Sequence, residues 1–235
     1  MDLRIVEDPQ AVARGAADFL AEIVSAKPAA SVAWPTGRTP VAFYDELASR
    51  HSRGAIDLSR VRSFHLDELI LPKDDPRTFR SFFQKHLFGR TGIEGQMAEA
   101  PDCQAMDLGA ECERYEGLLR STGLDLAILG LGVDGHVAYD LPGTARPRTH
   151  VVTLPDETAA EVGIAPEDRP LRAISVGLET LADARRILVM ATGRSKVEAV
   201  RALVRGGSWD AWPCAFLTSH GSIAVYADRE AASGL

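Results

Sequence analysis

The sequence contains little cysteine, and nothing in its pattern would join the cysteines that it has. Cys103, Cys112 and Cys214 form no Cys-x-x-Cys pair, and no segment resembling a signal peptide precedes them. We therefore expect neither a disulfide framework nor structural zinc, and we expect the reducing cytoplasm as the location. A chain of 235 residues can bury enough apolar surface to fold without such cross-links.

Long apolar runs and an excess of positive charge are missing as well. No apolar run reaches the roughly 18–20 residues that cross a bilayer, because Asp125 and glycines interrupt the longest candidate, residues 124–133. The formal net charge is −7, without the basic face on which general nucleic-acid binding depends. We expect no membrane and no nucleic-acid partner, whereas a few local cations could still bind a small anionic ligand.

What the sequence does contain is an alternation of helical and strand patterns. Apolar residues at three- and four-residue steps predict an amphipathic helix over residues 9–25. Further helices are predicted at residues 41–49, 79–87, 110–120 and 195–204, and strands at 29–34, 61–66, 124–129, 173–177, 187–192 and 222–226.

This alternation predicts an α/β fold with a mostly parallel, doubly wound sheet and helices on both faces. The fold is a single domain over residues 1–235, since no linker or low-complexity tract divides it. Residues 140–172 form one long irregular stretch, and we expect a lid or an active-site loop there. Ligands of such sheets bind at the carboxyl ends of the strands, so the residues that follow each strand are the candidates.

The first candidate segment follows the strand predicted at 29–34 and opens a helix. It contains Thr36, Gly37, Arg38 and Thr39. The amides, hydroxyls and guanidinium of such a turn suit a phosphate group. An ordinary strand-to-helix turn that needs a glycine is the alternative.

Two further candidates are an acidic pair and a lysine. Asp67 and Glu68 follow the strand predicted at 61–66, and a partly buried carboxylate there could act as a general base. The alternative is that one of the two acids caps the next element. Lys196 lies in the first turn of a helix, where a cation opposes the helix dipole, which favours ligand binding over a stabilising role. A solvated surface lysine is the alternative.

The strongest local pattern is a glycine-rich segment that follows the most apolar predicted strand. Gly130, Gly132 and Gly135 let the backbone turn tightly and approach a ligand. Asp134 and His136 lie within the same segment, close enough for the carboxylate to orient the imidazole. The segment predicts a proton-transfer pair, with a structural histidine as the alternative. It is not a dinucleotide-binding fingerprint, because no long helix follows it.

Taken in order, these segments resemble the glucosamine/galactosamine-6-phosphate deaminase (isomerase) family, which shares its fold with 6-phosphogluconolactonases. The resemblance covers nearly the whole chain and implies a modified Rossmann-like fold, a hexose 6-phosphate substrate and no organic cofactor. We assign no metal either. The matching segments are PTGRTP from residue 35, LDE from 66, LGLGVDGHVA from 129, TGRSK from 192 and PCAFL from 213.

The resemblance also implies a reaction and a role for individual residues. An amino-sugar 6-phosphate and water would give a ketose 6-phosphate and ammonia. Asp67 matches the base that moves a proton between sugar carbons, and Asp134 and His136 match residues that assist ring opening. The residues implied to bind the substrate or its phosphate are Thr36, Gly37, Arg38, Thr39, Glu68, Gly132 and Lys196.

One departure separates this chain from the usual deaminase pattern. Deaminases usually read Asn-Glu-Pro where this chain reads Asp140-Leu141-Pro142, so leucine replaces the glutamate of the ring-opening group. We expect little help from Asp140, since adjacent residues of an extended segment point in opposite directions. Because lactonases tend to have an apolar residue there, a lactone hydrolase in which His136 activates water is the alternative. A sugar-phosphate-binding protein without turnover is another.

Two further properties are only partly specified by the residues. Many deaminases bring an arginine to the phosphate from the long loop, and here Arg169 or Arg172 could take that place. The sequence is compatible with a homo-oligomer but does not specify the oligomeric state, allosteric regulation or the preferred epimer at C4.

Overall fold

The computed structural model describes residues 1–95 and 98–235, and its main element is a six-stranded parallel sheet. The strands, in chain order, are β1 (Asp2–Val6), β2 (Ser31–Trp34), β3 (Arg62–His65), β4 (Asp67–Leu69), β5 (Leu126–Gly130), β6 (His150–Thr153), β7 (Arg172–Ser175), β8 (Ile187–Ala191) and β9 (Ile223–Asp228). The main sheet has the order β1-β9-β8-β5-β2-β3, and every described pairing in it is parallel. Strands β4, β7 and β6 form a small antiparallel sheet.

Helices pack on both faces of the main sheet. They are α1 (Pro9–Ala26), α2 (Arg38–Ser52), α3 (Phe79–Phe83), α4 (Gly89–Thr91), α5 (Leu108–Thr122), α6 (Asp156–Val162), α7 (Leu178–Ala182) and α8 (Val197–Arg205). A π-helical turn, Gln84–Phe88, joins α3 to α4, and short 3₁₀ turns cover Pro166–Asp168, Arg194–Lys196 and Pro213–Ser219.

The two middle strands, β5 and β8, are apolar throughout because both of their faces are covered. In β5, Ile128 belongs to the core cluster that contains side chains of α1 and α2, whereas Leu129 belongs to the cluster that contains side chains of α5 and α8. Both residues are fully buried. Alternate residues of a strand point to opposite faces, so a continuous apolar run is what a two-sided core requires.

The helix starts follow capping chemistry that is visible in the sequence. The Asp8 side chain accepts a hydrogen bond of 2.7 Å from the Ala11 amide, and Pro9 occupies the first helical position of α1. Asp107 caps α5 in the same way, accepting from the amides of Gly109 and Ala110. Helix α5 therefore begins before the predicted start at residue 110.

The predicted fold class is confirmed, but several local predictions were wrong. The strand predicted at 173–177 is β7, which belongs to the small antiparallel sheet rather than to the main one. Residues 140–172 are not irregular throughout, since they contain β6 and α6. The strand predicted at 61–66 ends at His65, where the chain leaves the main sheet and enters β4. The helix predicted at 79–87 is a short α-helix that continues as a π-helical turn.

The strand order creates a crevice at one edge of the main sheet. From β2 the chain steps outward to β3, whereas from β5 it steps in the opposite direction, to β8 and then β9. The connection therefore reverses direction between β2 and β5, and the carboxyl ends of these two strands mark the expected ligand site. The candidate segments follow β2, β3, β5 and β8, so all of them meet at this edge.

Candidate functional site

The first candidate segment forms an open helix N-terminus. Gly37 has φ 107°, a conformation that favours glycine, and no side chain caps the start of α2. The first backbone amides of a helix have no partner within the helix, so this end is suited to an anion. The Thr39 Oγ1 atom lies 3.3 Å from Thr192 Oγ1, which joins this turn to the one that follows β8.

The N-terminus of α2 and the turn after β8 form a cradle for an anion, and Arg38 and Lys196 add positive charge to it. Lys196 is half-buried, and burial lowers the pKa of its ammonium group. The nearby Asp134 carboxylate raises that pKa, while the Arg38 guanidinium lowers it further. Lys196 and Arg38 thus repel each other at the helix N-terminus, and an anion between them would relieve the repulsion. The structure brings the first and the last candidate segments together, and phosphate binding by them stays a prediction.

Asp67 begins β4, just after the chain leaves the carboxyl end of β3. Its side chain is buried, and its Oδ1 atom has no hydrogen-bond partner among the described residues. Burial, with the charges of Glu68 and Asp140 adding to it, raises the pKa of Asp67 to about 8. A carboxyl group with that pKa exchanges its proton near neutrality, as the proposed base role requires.

Glu68 is turned away from the crevice toward the backbone. Its carboxylate accepts hydrogen bonds from the amides of Leu69, Phe79 and Arg80, at 3.0, 2.7 and 2.9 Å. Two of these amides belong to the first turn of α3, whose free donors are thereby satisfied. Glu68 therefore caps the next helix, which was the alternative interpretation of the acidic pair. Contact between Glu68 and the substrate stays a prediction.

The glycine-rich segment holds His136 against Asp134. The His136 Nδ1 atom lies 2.6 Å from Asp134 Oδ1, and the His136 amide donates to the same oxygen. Partial burial alone would raise the pKa of Asp134, but the hydrogen bond and charge of His136 lower it overall. Both side chains remain partly exposed at the crevice. An ionised carboxylate on Nδ1 leaves Nε2 of the ring free for proton transfer.

Two glycines of this segment are explained by close packing. A Cβ atom on Gly132 would lie 2.3 Å from the His136 ring nitrogen, so only glycine lets the imidazole approach the backbone. Gly135 has φ 81°, and a Cβ atom there would lie 2.7 Å from the Trp212 ring. The Cys214 amide donates to the Gly135 carbonyl oxygen at 2.8 Å, so the PCAFL segment supports this turn.

The residues after His136 do not form the extended segment that we expected. Ala138 has φ 51°, and the Asp140 amide donates to the Val137 carbonyl oxygen, so the chain makes a tight turn. Leu141 packs against the apolar core, whereas Asp140 is fully buried and close enough to Asp67 to raise its pKa. The assumption of an extended segment was wrong, whereas the expectation that Asp140 gives little help to the ring-opening group stays a prediction.

Sequence reasoning also missed Tyr139. Its amide donates to the Ser175 Oγ atom at 3.0 Å, and its ring stacks on Phe79, with centroids 6.0 Å apart. The His136 ring lies 6.5 Å away on a tilted plane. Burial raises the pKa of the Tyr139 hydroxyl, with the Asp67 carboxylate adding to the shift. The signal in the sequence was an aromatic residue three positions after the histidine.

The two arginines considered for the phosphate, Arg169 and Arg172, lie just before β7 and at its first position. Arg169 donates to the Ile164 carbonyl oxygen, and Arg172 begins β7 opposite Thr153 of β6.

Among the described residues, no group of three or more His, Cys, Asp or Glu side chains is arranged to hold a metal ion. None of the helices in residues 1–95 and 98–235 combines the length and apolar character needed to cross a membrane.

Known proteins resemble this chain along its whole length. A family model described as glucosamine-6-phosphate isomerases/6-phosphogluconolactonase matches residues 7–225. Glucosamine-6-phosphate deaminase of Beutenbergia cavernae is 35% identical over 242 residues, covering 100% of this chain and 93% of the relative. Glucosamine-6-phosphate deaminase 1 of Giardia intestinalis is 39% identical over 219 residues, covering 90% and 82%.

Solved structures agree with this comparison. A monomeric glucosamine-6-phosphate deaminase superposes with a TM-score of 0.92 at 32% sequence identity, covering 100% of both chains. The 6-phosphogluconolactonase of Trypanosoma brucei superposes with a TM-score of 0.80 at 21% identity, covering 100% of this chain and 98% of the other. At that identity the likeness to the lactonase shows the fold alone.

Proposed function

The chain belongs to the family of glucosamine-6-phosphate isomerases and 6-phosphogluconolactonases, and we propose that it is a hexosamine-6-phosphate deaminase. It converts glucosamine 6-phosphate or galactosamine 6-phosphate and water into a ketose 6-phosphate and ammonia. The observation that carries the proposal is the buried Asp67 carboxyl group, with its raised pKa, at the same carboxyl edge of the main sheet as the His136–Asp134 pair. The deaminases among the relatives support it.

The phosphate of the substrate binds at the N-terminus of α2. Arg38 and Lys196 supply positive charge, and the first amides of the helix, with the Thr36 and Thr39 hydroxyls, supply donors. These interactions fix one end of the sugar. The other end then reaches the residues that follow β3 and β5, where the acid–base groups lie.

Ring opening and proton transfer use different groups. His136, oriented by Asp134, exchanges the proton that opens the pyranose ring. Asp67 in its carboxylate form removes the proton from C2 and returns it to C1. The aldehyde oxygen at C1 takes up the proton that the substrate ammonium group releases, so that C1 becomes a hydroxymethyl group and the C2 amine becomes an imine. Water then hydrolyses the imine, giving the ketone and ammonia. The positive charge of the substrate amine favours the carboxylate form of Asp67 when the substrate is bound.

A lactone hydrolase is the second candidate, and one observation favours it. Leu141 places an apolar side chain where deaminases usually have a glutamate, and lactonases tend to have an apolar residue there. In that reaction His136 would activate a water molecule against the lactone carbonyl. Asp67 would then have no proton to carry between carbons, which separates the two reactions experimentally.

The test is an ammonia-release assay on glucosamine 6-phosphate and galactosamine 6-phosphate, with a 6-phosphogluconolactone assay on the same preparation. We expect ammonia from at least one sugar and a loss of that release in Asp67→Asn. Lactone hydrolysis without ammonia would replace the proposal with the second candidate. Tight binding of the sugar phosphates without either reaction would indicate a binding protein.

Three remaining expectations belong to this proposal. The domain is single, and residues 140–172 contribute to the site as an active-site segment. The location is cytoplasmic, which the free state of Cys103, Cys112 and Cys214, all within the described residues, supports. A homo-oligomer stays a prediction, and one structural neighbour is described as a monomeric deaminase; sedimentation of the purified chain tests it.

A further inference from the structure

The turn that carries Lys196 is bonded to a buried acid of the neighbouring strand. Strands β8 and β9 are paired in parallel, with Ala191 opposite Ala227. The next residue of β9 is Asp228, which therefore lies beside the turn that follows β8. Asp228 is 2% exposed, and no step of the proposed reaction uses it. A carboxyl group buried to that degree requires an explanation.

Both carboxyl oxygens of Asp228 accept hydrogen bonds from backbone amides. The Gly193 amide lies 2.9 Å from Oδ2 and 3.1 Å from Oδ1, and the Ala231 amide donates to Oδ1 at 2.7 Å. One side chain thus joins the turn after β8 to the turn after β9. Hydrogen bonds to a carboxylate are stronger than those between neutral groups, so this junction is firmly fixed.

Gly193 connects the Asp228 carboxyl group to Lys196. The Gly193 carbonyl oxygen accepts a 3.1 Å hydrogen bond from the Lys196 amide, at the start of the 3₁₀ turn Arg194–Lys196. Gly193 itself has φ 87°, a left-handed conformation that favours glycine. One residue is therefore bonded through its amide to Asp228 and through its carbonyl to Lys196. The position of the Lys196 backbone depends on the Asp228 carboxyl group.

The turn after β8 borders an open cleft on one side. The cleft has a volume of about 330 Å³, and Thr192 and Gly193 form part of its wall. Acids form much of the rest of the wall, among them Glu7 and Glu230. Negative charge beside a phosphate site would repel the phosphate. The charge of Asp228 therefore opposes phosphate binding, whereas its hydrogen bonds favour binding by fixing the turn.

We propose that Asp228 is a positioning residue of the phosphate site, which holds the turn of Lys196 through the Gly193 amide. The inference rests on the proposed function, because it assigns Asp228 an effect on the phosphate site of that reaction. Asp228 acts through the turn and not on the substrate. A turn that is already fixed binds an anion at a lower entropic cost than a mobile one.

The test is the effect of Asp228→Asn on KM and kcat for ammonia release. The variant presents an N–H donor to the Gly193 amide in place of one acceptor oxygen, which loosens the turn. We expect KM for glucosamine 6-phosphate to rise about three- to tenfold and kcat to change by less than about twofold. An unchanged KM would leave Asp228 only a local role in the turn after β9. A lower KM would show that Asp228 acts through its charge alone, and either result overturns the inference.

Two comparisons separate positioning from a general loss of stability. In the Lys196→Gln background, Asp228→Asn should have little further effect on KM, because its effect is transmitted through Lys196. The same factor in both backgrounds would overturn the inference. Asp125→Asn is the control, since Asp125 is 7% exposed and also accepts from a backbone amide, that of Ser31, at 2.9 Å. Asp125 lies at the amino end of β5, so its loss should lower stability without raising KM. An equal rise of KM in both aspartate variants would count against positioning.

A binding measurement separates a failure of this inference from a failure of the proposed function. Calorimetric titration with inorganic phosphate measures the affinity of the site without any turnover. We expect Asp228→Asn to bind phosphate about three- to tenfold more weakly than the wild type, and Asp125→Asn to bind it equally well. If this pattern holds but no ammonia is released, the proposed reaction fails and the inference stands. If all three proteins bind phosphate equally, or the wild type does not bind it, the inference fails whatever the ammonia assay shows.

Discussion

The hydroxyl oxygens of Thr39 and Thr192 lie 3.3 Å apart although 153 positions separate these residues in the sequence. The contact joins the turn after β2 to the turn after β8, across the carboxyl end of β5. It closes the cradle in which Arg38 and Lys196 approach each other. We therefore expect an anion of phosphate size to meet donors from two distant parts of the chain.

The proposed phosphate site predicts that removing the charge of Lys196 weakens substrate binding. Lys196→Gln should raise KM roughly tenfold or more and change kcat little, because a hydrogen bond to a charged group contributes about 1.5–3 kcal/mol. Steady-state kinetics with glucosamine 6-phosphate measure this. Arg60→Gln, an exposed arginine outside the crevice, is the matched control and should leave KM unchanged. A fall in kcat alone would contradict the assignment.

The assignment of Asp67 as the base predicts that Asp67→Asn loses most of the reaction rate and gains stability at alkaline pH. Asp67→Asn should lower kcat by roughly 10²–10⁴-fold, the usual contribution of a positioned acid–base group. The folded-state pKa of Asp67 is raised from 3.8 to about 8, so its contribution to stability is present below about pH 4 and is lost as the pH rises through 8. Removing the ionisable group should flatten that fall. Unfolding in urea at pH 5, 7 and 9 checks the sign, and a variant that is less stable than the wild type only at pH 9 would refute it.

The pair formed by Asp134 and His136 predicts an effect on turnover. Asp134→Asn removes the carboxylate that orients the ring at 2.6 Å and should lower kcat roughly ten- to hundredfold without preventing folding, since both side chains are partly exposed. The pKa of Asp134 is lowered in the folded protein, so its stabilising contribution is present above the unfolded pKa and is lost as the pH falls through the folded one. Kinetics beside the imidazole resonances of His136 test the orienting role, and unchanged resonances and rates would exclude it. Urea unfolding at neutral and at acidic pH tests the contribution to stability.

The glycine-rich segment offers a matched pair of substitutions. Gly132→Ala would place a Cβ atom 2.3 Å from the His136 ring, whereas a Cβ atom on Gly130 would meet no atom within 4 Å among the described residues beyond its two chain neighbours. We expect Gly132→Ala to displace the imidazole and to lower kcat strongly while the protein stays folded. Gly130→Ala should retain most of the activity. Equal activities of the two variants would show that the packing against His136 has no catalytic consequence.

The parallel sheet was predictable because its signals are local. The apolar run of β5 and the capping by Asp8 are both written in adjacent residues, and parallel strands bring their carboxyl ends to one edge. β1 was missed because it is an edge strand with exposed polar residues such as Asp2 and Arg4, which give no apolar alternation. The small sheet was missed because its strands are short and pair across long separations.

In the candidate site, too, contacts between near neighbours in the sequence were predictable and contacts that depend on packing were not. The two-residue spacing of Asp134 and His136 made their contact predictable, since one tight turn brings them together. Whether Asp67 or Glu68 would cap the next helix was open, because that depends on where α3 docks. The amides of α3 engage Glu68, whereas Asp67 Oδ1 has no hydrogen-bond partner in the described part of the chain.

By itself, the sequence determined which residues follow the strands of the parallel sheet, and hence the edge at which the chemistry lies. Periodicity and turn chemistry act over a few residues, so they can be read without the fold. Only the tertiary structure decided that Asp140 is buried, because a left-handed residue, Ala138, turns the chain and Ser175 anchors the turn. Burial depends on packing from distant segments, and it raises the pKa of both Asp67 and Asp140, with neighbouring carboxylates adding to the shift of Asp67.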